Sequence, residues 1–153
     1  MRRLFFTMPV GLHQSATHMG KEVQMRTVRD IMTTTVQTIH HHTFVCEVQG
    51  IFVTHKISGA PLVDDLGNLV AFVSMTDITH FGSTGGDPNY ARVYEIANPK
   101  VITIESAASI EDAAEKMLHE HVHHLVVMEE AAMVGVLSTL DFVKLVAQNA
   151  SED

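Results

Sequence analysis

Lys56-Ile57-Ser58-Gly59-Ala60-Pro61-Leu62-Val63-Asp64, followed after a short gap by Leu69-Val70-Ala71-Phe72-Val73-Ser74-Met75-Thr76-Asp77, is the segment from which the architecture can be worked out in both directions. Leu62-Val63 and Leu69 to Val73 are short apolar runs of strand character, and the intervening Asp64-Asp65-Leu66-Gly67-Asn68 consists largely of turn formers. Together they predict a hairpin, with a helix beginning at Ser74. Upstream, Val36 to Ile39 is another short extended stretch that leads into a helix, so the order is strand, helix, strand, strand, helix.

That order occurs twice. Val28-Arg29-Asp30-Ile31 aligns with Val93-Tyr94-Glu95-Ile96 at an offset of 65, and the same offset pairs Val36 with Val101, Thr38 with Thr103 and Ile39 with Ile104. It continues through Val45/Ile110, Val48/Ala113, Phe52/Met117, Ile57/Val122 and Leu62/Val127. One residue is lost in the second turn, and the offset becomes 64 for Val70/Val134, Val73/Leu137, Ser74/Ser138 and Asp77/Asp141. In the second copy Ile110, Ala113, Ala114, Met117 and Leu118 mark one face of a helix. Ser109, with Asp112 three residues on, forms an N-terminal cap that starts this helix near Ile110.

The predicted organisation is an N-terminal arm at 1–26, a first repeat at 27–82, a linker at 83–92, a second repeat at 93–147 and a tail at 148–153. Gly82 to Asn89, with Gly85, Gly86 and Pro88, carries the breakers that separate the copies. One repeat alone buries too little apolar surface, so the two are expected to pack as one α+β body. In the arm, Leu4-Phe5-Phe6 and Met8 are expected to cap the module locally or to meet a second copy.

Composition narrows the function. The 153 residues are 46% hydrophobic and hold 10 basic against 18 acidic side chains, a formal charge of -8. This supports a substantial core and, without a Lys/Arg-rich face, argues against nucleic acid as partner. It also disfavours tight triphosphate binding. No apolar run approaches the roughly 20 residues that span a bilayer, and Met1 to Leu12 has only short apolar patches, so neither membrane insertion nor a signal peptide is expected. The lone Cys46 cannot form an internal disulfide, which points to a reducing cytoplasm. With no Gly-rich phosphate loop and no nucleophile paired with a base, the chain is not expected to be an enzyme.

The segment quoted first closely resembles a cystathionine-β-synthase (CBS) domain, and Val122-His123-His124-Leu125-Val126-Val127 with Val134-Gly135-Val136-Leu137-Ser138-Thr139-Leu140-Asp141 resembles a second one. The likeness extends from Thr27 to Ala147. It implies two tandem β-α-β-β-α repeats packed with pseudo-twofold symmetry through their sheets. It further implies two clefts for AMP, ADP, ATP, S-adenosylmethionine or NAD, and a homodimer that reports ligand to a regulated protein. Two departures stand out: Met128-Glu129-Glu130-Ala131-Ala132 replaces the usual Asp/Gly turn, and Ala71 stands where Gly is common.

The same resemblance assigns the site residues. One cleft takes Ser138 and Asp141 with Thr33, Val36, Ile57 and Ser58; its counterpart takes Ser74, Thr76 and Asp77 with Asn98, Val101, Val122 and His123. Each Ser-x-x-Asp pair also suits a helix cap, worth about 1 kcal/mol without any ligand. An assembly module with empty clefts is therefore the competing reading. His123 and His124 correspond to the phosphate end, His124 where Arg is frequent, which predicts tighter nucleotide binding at pH 6 than at pH 8. These histidines and the well-matched Ile57-Ser58-Gly59-Ala60 make the Asp141 cleft the first choice. His40-His41-His42 are expected in a loop and His119 and His121 at a helix end, so no metal ligand is assigned.

Overall fold

A computed structural model describes residues 25–151; the apolar Leu4-Phe5-Phe6 of the arm lies outside this range. The first repeat contains β1 (Ile39–His40), α2 (Val45–His55), β2 (Gly59–Val63), β3 (Leu69–Ser74) and α3 (Met75–Ser83), preceded by the one-turn helix α1 (Val28–Ile31). The second contains β4 (Thr103–Glu105), α4 (Ile110–Glu120), β5 (His124–Glu129), β6 (Ala132–Ser138) and α5 (Thr139–Ala150), preceded by a 3-10 turn at Val93–Glu95. The architecture is the expected α+β pair of β-α-β-β-α repeats.

Each repeat has one three-stranded sheet, ordered β1-β2-β3 and β4-β5-β6. The first pair in each is parallel and the second antiparallel. The repeat offset survives in the register, because Ile39 faces Leu62 as Ile104 faces Val127, and Gly59 faces Ser74 as His124 faces Ser138.

The two cores exchange their opening segments. Ile39, Val45, Val48, Phe52, Leu62, Val73 and Ile78 of the first repeat pack with Val93, which precedes β4. Ala113, Met117, Leu125, Val127 and Leu137 of the second pack with Val28, which precedes β1. Val28 and Val93 are both 0% exposed. Backbone bonds hold the exchange: Val28 N donates to Ala108 O at 2.9 Å, and Val93 N to Thr43 O at 2.8 Å. Farther along each segment, Thr33 pairs with Val136 and Asn98 with Phe72 as antiparallel bridges. Gly135 allows the first of these approaches, since a Cβ there would lie 2.9 Å from Thr33 O and 2.7 Å from Met32 Sδ.

The apolar stripe on α4 divides differently from expectation. On α4, Ala113 and Met117 are buried, but Leu118 is 76% exposed. One residue past Met117 turns the side chain by about 100°, off the buried face. Val53, its counterpart on α2, is 75% exposed for the same reason. On α5, Phe142 packs against the second core and Leu145 is buried, whereas Leu140, Val143 and Val146 are exposed.

The irregular second hairpin turn has a cost. Glu130 (φ 48°) and Ala131 (φ 64°) both occupy the left-handed region, the backbone of a two-residue type I′ turn that favours Asn-Gly. A non-glycine residue there loses roughly 1 kcal/mol. The double substitution Glu130→Asn with Ala131→Gly is therefore expected to raise unfolding free energy by about 1–2 kcal/mol in a denaturant titration, with the m-value unchanged.

Candidate functional site

The strand-to-helix junctions Ser74–Asp77 and Ser138–Asp141 lie at the same end of the two sheets. At the first, the Ser74 N–H and Oγ donate to Asp77 Oδ2 at 2.7 and 2.8 Å, and the Asp77 N–H donates back to Ser74 Oγ at 3.2 Å. At the second, the Ser138 N–H and Oγ donate to Asp141 Oδ2 at 2.8 and 3.2 Å. The reciprocal cap is complete at Ser74, whereas Ser138 Oγ accepts no bond from the Asp141 N–H; each junction uses a single carboxylate oxygen. The cap fixes the carboxylate's orientation and leaves Oδ1 of Asp77 able to accept from a ligand hydroxyl. Lys144 Nζ stands 3.8 Å from Asp141 Oδ1, and Asp141 is 6% exposed.

Two clefts open at these junctions. The larger, about 430 Å³, brings together Ser74, Thr76 and Asp77 with Asn98, Val122, His123 and His124. The smaller, about 130 Å³, brings together Thr33, Val36, Ile57 and Ser58 with Ser138, Asp141 and His124. Both residue sets therefore assemble across the repeats, with two corrections. Val101 lines neither cleft: alternation along the extended chain turns Lys100 and Ile102 into the larger one instead. His123 lines the Asp77 cleft, as assigned, and the Asp77 cleft is the larger of the two.

The second correction concerns His124. It opens β5 between the clefts and lines both. Its Nε2 is 3.0 Å from Ser58 Oγ, and its ring lies 5.3 Å from that of Phe72, centroid to centroid. Gly59 makes the cluster possible, because a Cβ there would come within 2.7 Å of Phe72 and 3.0 Å of His124. Burial, reinforced by the neighbouring His123, lowers the His124 pKa from 6.5 to about 4, against the opposing pull of Asp141 and Asp77. His124 is accordingly neutral between pH 6 and pH 8 and does not supply the cation on which the expected pH dependence of binding rested.

Its effect falls on stability at lower pH. Above pH 6.5 both folded and unfolded imidazoles are neutral. As pH falls from 6.5 towards 4 only the unfolded state takes up the proton, so folding loses free energy over that interval, about 3 kcal/mol in all. His124→Asn is expected to flatten the fall in Tm between pH 6.5 and pH 4; an unchanged slope would show that the ring is not held neutral.

Several lining residues were not singled out from sequence. Phe72, Met75, Lys100, Ile102, His121 and Thr139 complete the larger cleft. Lys100 carried the one signal that was legible, a cation two residues past Asn98 in a chain poor in cations. Its Nζ lies 3.4 Å from Glu120 Oε2, so its charge is partly answered within the protein. The smaller cleft gains Thr35, Gln37, Lys56, Pro61, Leu140 and Lys144.

Comparison with known proteins agrees with this geometry. The CBS domain family matches residues 28–83 and 93–148. Hypoxic response protein 1 of Mycobacterium tuberculosis is 27% identical over 127 residues, covering 82% of this chain and 89% of that protein. A crystal structure of Hypoxic Response Protein I, with a TM-score of 0.67, has two coordinated zinc ions and is matched over 78% of this chain and 98% of that one, at 27% identity. An uncharacterized protein of Methanocaldococcus jannaschii is 26% identical over 80% of this chain, which spans only 43% of that protein's length. A CBS domain pair crystallised with 5′-methylthioadenosine and S-adenosyl-L-methionine superposes with a TM-score of 0.74 at 25% identity, over 82% of this chain and 98% of that one. With both repeats matched and their sheets, clefts and exchanged leaders in place, the chain belongs to the CBS domain family as a tandem pair.

Proposed function

We propose that this CBS pair is a non-catalytic regulatory module that binds an adenosyl ligand in the Asp77 cleft. The observation that carries the reading is the convergence, in a volume of about 430 Å³, of a pre-oriented carboxylate with an apolar wall from Phe72, Ile102 and Val122. Asp77 Oδ1 suits the ribose diol, the apolar wall suits the adenine face, and the Asn98 side-chain amide N–H groups offer a polar edge. The related pair holding 5′-methylthioadenosine and S-adenosyl-L-methionine supports this ligand class. Among AMP, ADP, ATP, S-adenosylmethionine and NAD, the net charge of -8 and the partial neutralisation of Lys100 by Glu120 favour ligands with little negative charge. S-adenosylmethionine and AMP thus rank ahead of ATP.

The reading extends to a homodimer in the cytoplasm, with the outward Leu140, Val143 and Val146 of α5 as the contact and a regulated protein responding to dimer shape. A thermal-shift screen with the five ligands tests the binding. A ligand present at 100 times its Kd adds about 2.7 kcal/mol to stability. If no ligand raises Tm, the Ser-to-Asp bonds at Ser74–Asp77 and Ser138–Asp141 serve an assembly module with empty clefts.

A further inference from the structure

We propose that His40, His41 and Asp65 form a site for a divalent transition-metal cation, at the end of the first sheet opposite the clefts. β1 ends at His40, and Asp65 lies in the β2–β3 turn, beyond Val63; the clefts lie at the Gly59–Ser74 end of the same strands. One ligand atom from each of the three side chains lies within 4.8 Å of the others. His40 Nε2 and Asp65 Oδ1 are already 2.7 Å apart.

A separate observation marks the place. His41 Nε2 is buried and has no hydrogen-bond partner, the one such side-chain atom among the described residues. A buried polar atom left in this state costs about 1–3 kcal/mol, so it calls for a partner. The backbone gives no slack to move it: His41 N donates to Val63 O at 3.0 Å, and Tyr94 N donates to His41 O at 3.1 Å.

The pseudosymmetric station in the second repeat shows what is missing. Applying the repeat offset, Ser106 corresponds to His41 and Arg29 to Tyr94, and the backbone bonds Ser106 N to Met128 O and Arg29 N to Ser106 O repeat those of His41 and Tyr94. There the guanidinium of Arg29 pairs with Glu129 and donates to Ser106 Oγ at 3.1 Å, while Ser106 Oγ donates to Glu129 at 3.2 Å. The second repeat thus closes this corner with a cation set against a carboxylate. The first repeat has Tyr94 in place of the arginine and two imidazoles facing a carboxylate. A metal ion supplies the cation that the first repeat lacks.

The donor set is two imidazoles and one carboxylate, suited to Zn²⁺, Ni²⁺, Co²⁺ or Cu²⁺ and poorly suited to Ca²⁺ or Mg²⁺. Metal–ligand bonds of about 2.0–2.2 Å would need the donors drawn to within roughly 3.5 Å of one another. That adjustment is a side-chain rotation, because His40 and Asp65 are 44% and 81% exposed. At a neutral His40 the metal takes the place of the single ring proton, which sits on Nε2 and faces Asp65. That proton moves to Nδ1, which gives up the long 3.3 Å bond it accepts from His42 N. Zinc loading then changes the tautomer of a neutral His40 without releasing a proton from it to buffer.

Calorimetric titration of the full chain with zinc chloride, after removal of bound metal with a chelator, tests the site. One equivalent is expected, with Kd raised at least tenfold in His40→Ala and in Asp65→Asn, both at exposed positions that should not disturb folding. The control pairs His119→Ala/His121→Ala and His13→Ala/His18→Ala are expected to stay within twofold of wild type. No zinc uptake, or uptake unchanged by His40→Ala and Asp65→Asn, would overturn the proposal. So would loss of the equivalent in either control pair alone. None of these outcomes depends on whether an adenosyl ligand binds.

Discussion

Asp77→Ala is expected to lower affinity for the proposed adenosyl ligand at least a hundredfold, and Asp141→Ala to change it by no more than a few-fold. The larger value follows from two hydroxyl-to-carboxylate bonds at Asp77 Oδ1, each worth roughly 1.5–3 kcal/mol, with tenfold in Kd for every 1.4 kcal/mol. The smaller follows from the volumes, since the Asp141 cleft holds about 130 Å³ against about 430 Å³ and places Lys144 beside its carboxylate. Capping complicates the experiment, because Asp77 Oδ2 accepts the Ser74 N–H and Oγ. Losing the cap costs about 1 kcal/mol of stability and is read in the ligand-free Tm. Asp77→Asn separates the roles: its amide oxygen keeps the cap while the charge on the ribose anchor is lost. Isothermal titration of wild type and the three variants decides the matter. Equal affinities throughout would remove Asp77 from binding, and a loss confined to Asp141→Ala would move the ligand to the smaller cleft.

Val93→Ala destabilises the protein by about 2–4 kcal/mol and loosens the first repeat, although Val93 precedes the second repeat in the chain. Val93 is 0% exposed and packs in the core with Phe52, Leu62 and Val73. Removing buried methyl groups loses their transfer free energy and leaves a cavity. Val28→Ala is the mirror case, expected to loosen Leu125, Val127 and Leu137. Denaturant titration measures the loss, and hydrogen exchange locates it. Protection falling in β1–β3 for Val93→Ala, and in β4–β6 for Val28→Ala, identifies exchanged cores. Protection falling in the sequence-adjacent repeat instead would mean that each repeat is stabilised mainly by its own leader.

The repeated elements were legible because they rest on short-range chemistry. Val63 and Leu69 flank a turn of Asp, Gly and Asn, and the Asp64 carboxylate does accept the Leu66 and Asn68 N–H groups at 2.9 and 2.8 Å. The Asn68 side-chain amide, donating to Asp64 Oδ2 at 3.1 Å, together with these backbone bonds holds its pKa below the ordinary carboxylate value. Ser109 accepts the Asp112 N–H at 3.0 Å, as the spacing foretold, and α4 starts at Ile110. The site was legible in part. Thr33, Ile57 and Asp141 meet as the family resemblance implied, yet Lys100 and Ile102, not Val101, reach the other cleft. The facing of a short extended segment depends on the bridge it makes, here Asn98 with Phe72, and no local pattern specifies that. His124 was misjudged for a related reason: burial, not residue type, decides whether an imidazole carries charge, and burial comes from Gly59 and Phe72 across the repeat boundary.

By itself the sequence determined two copies of one β-α-β-β-α unit, their turns and caps, and the paired Ser-x-x-Asp junctions, since propensity, periodicity and capping act within a few residues. Only the tertiary structure decided that Val28 and Val93 exchange cores, that the cleft at Asp77 is the larger, and that His40, His41 and Asp65 share one corner. Each of these depends on contacts between segments distant in the chain, whose geometry is settled by close packing after the local elements have formed.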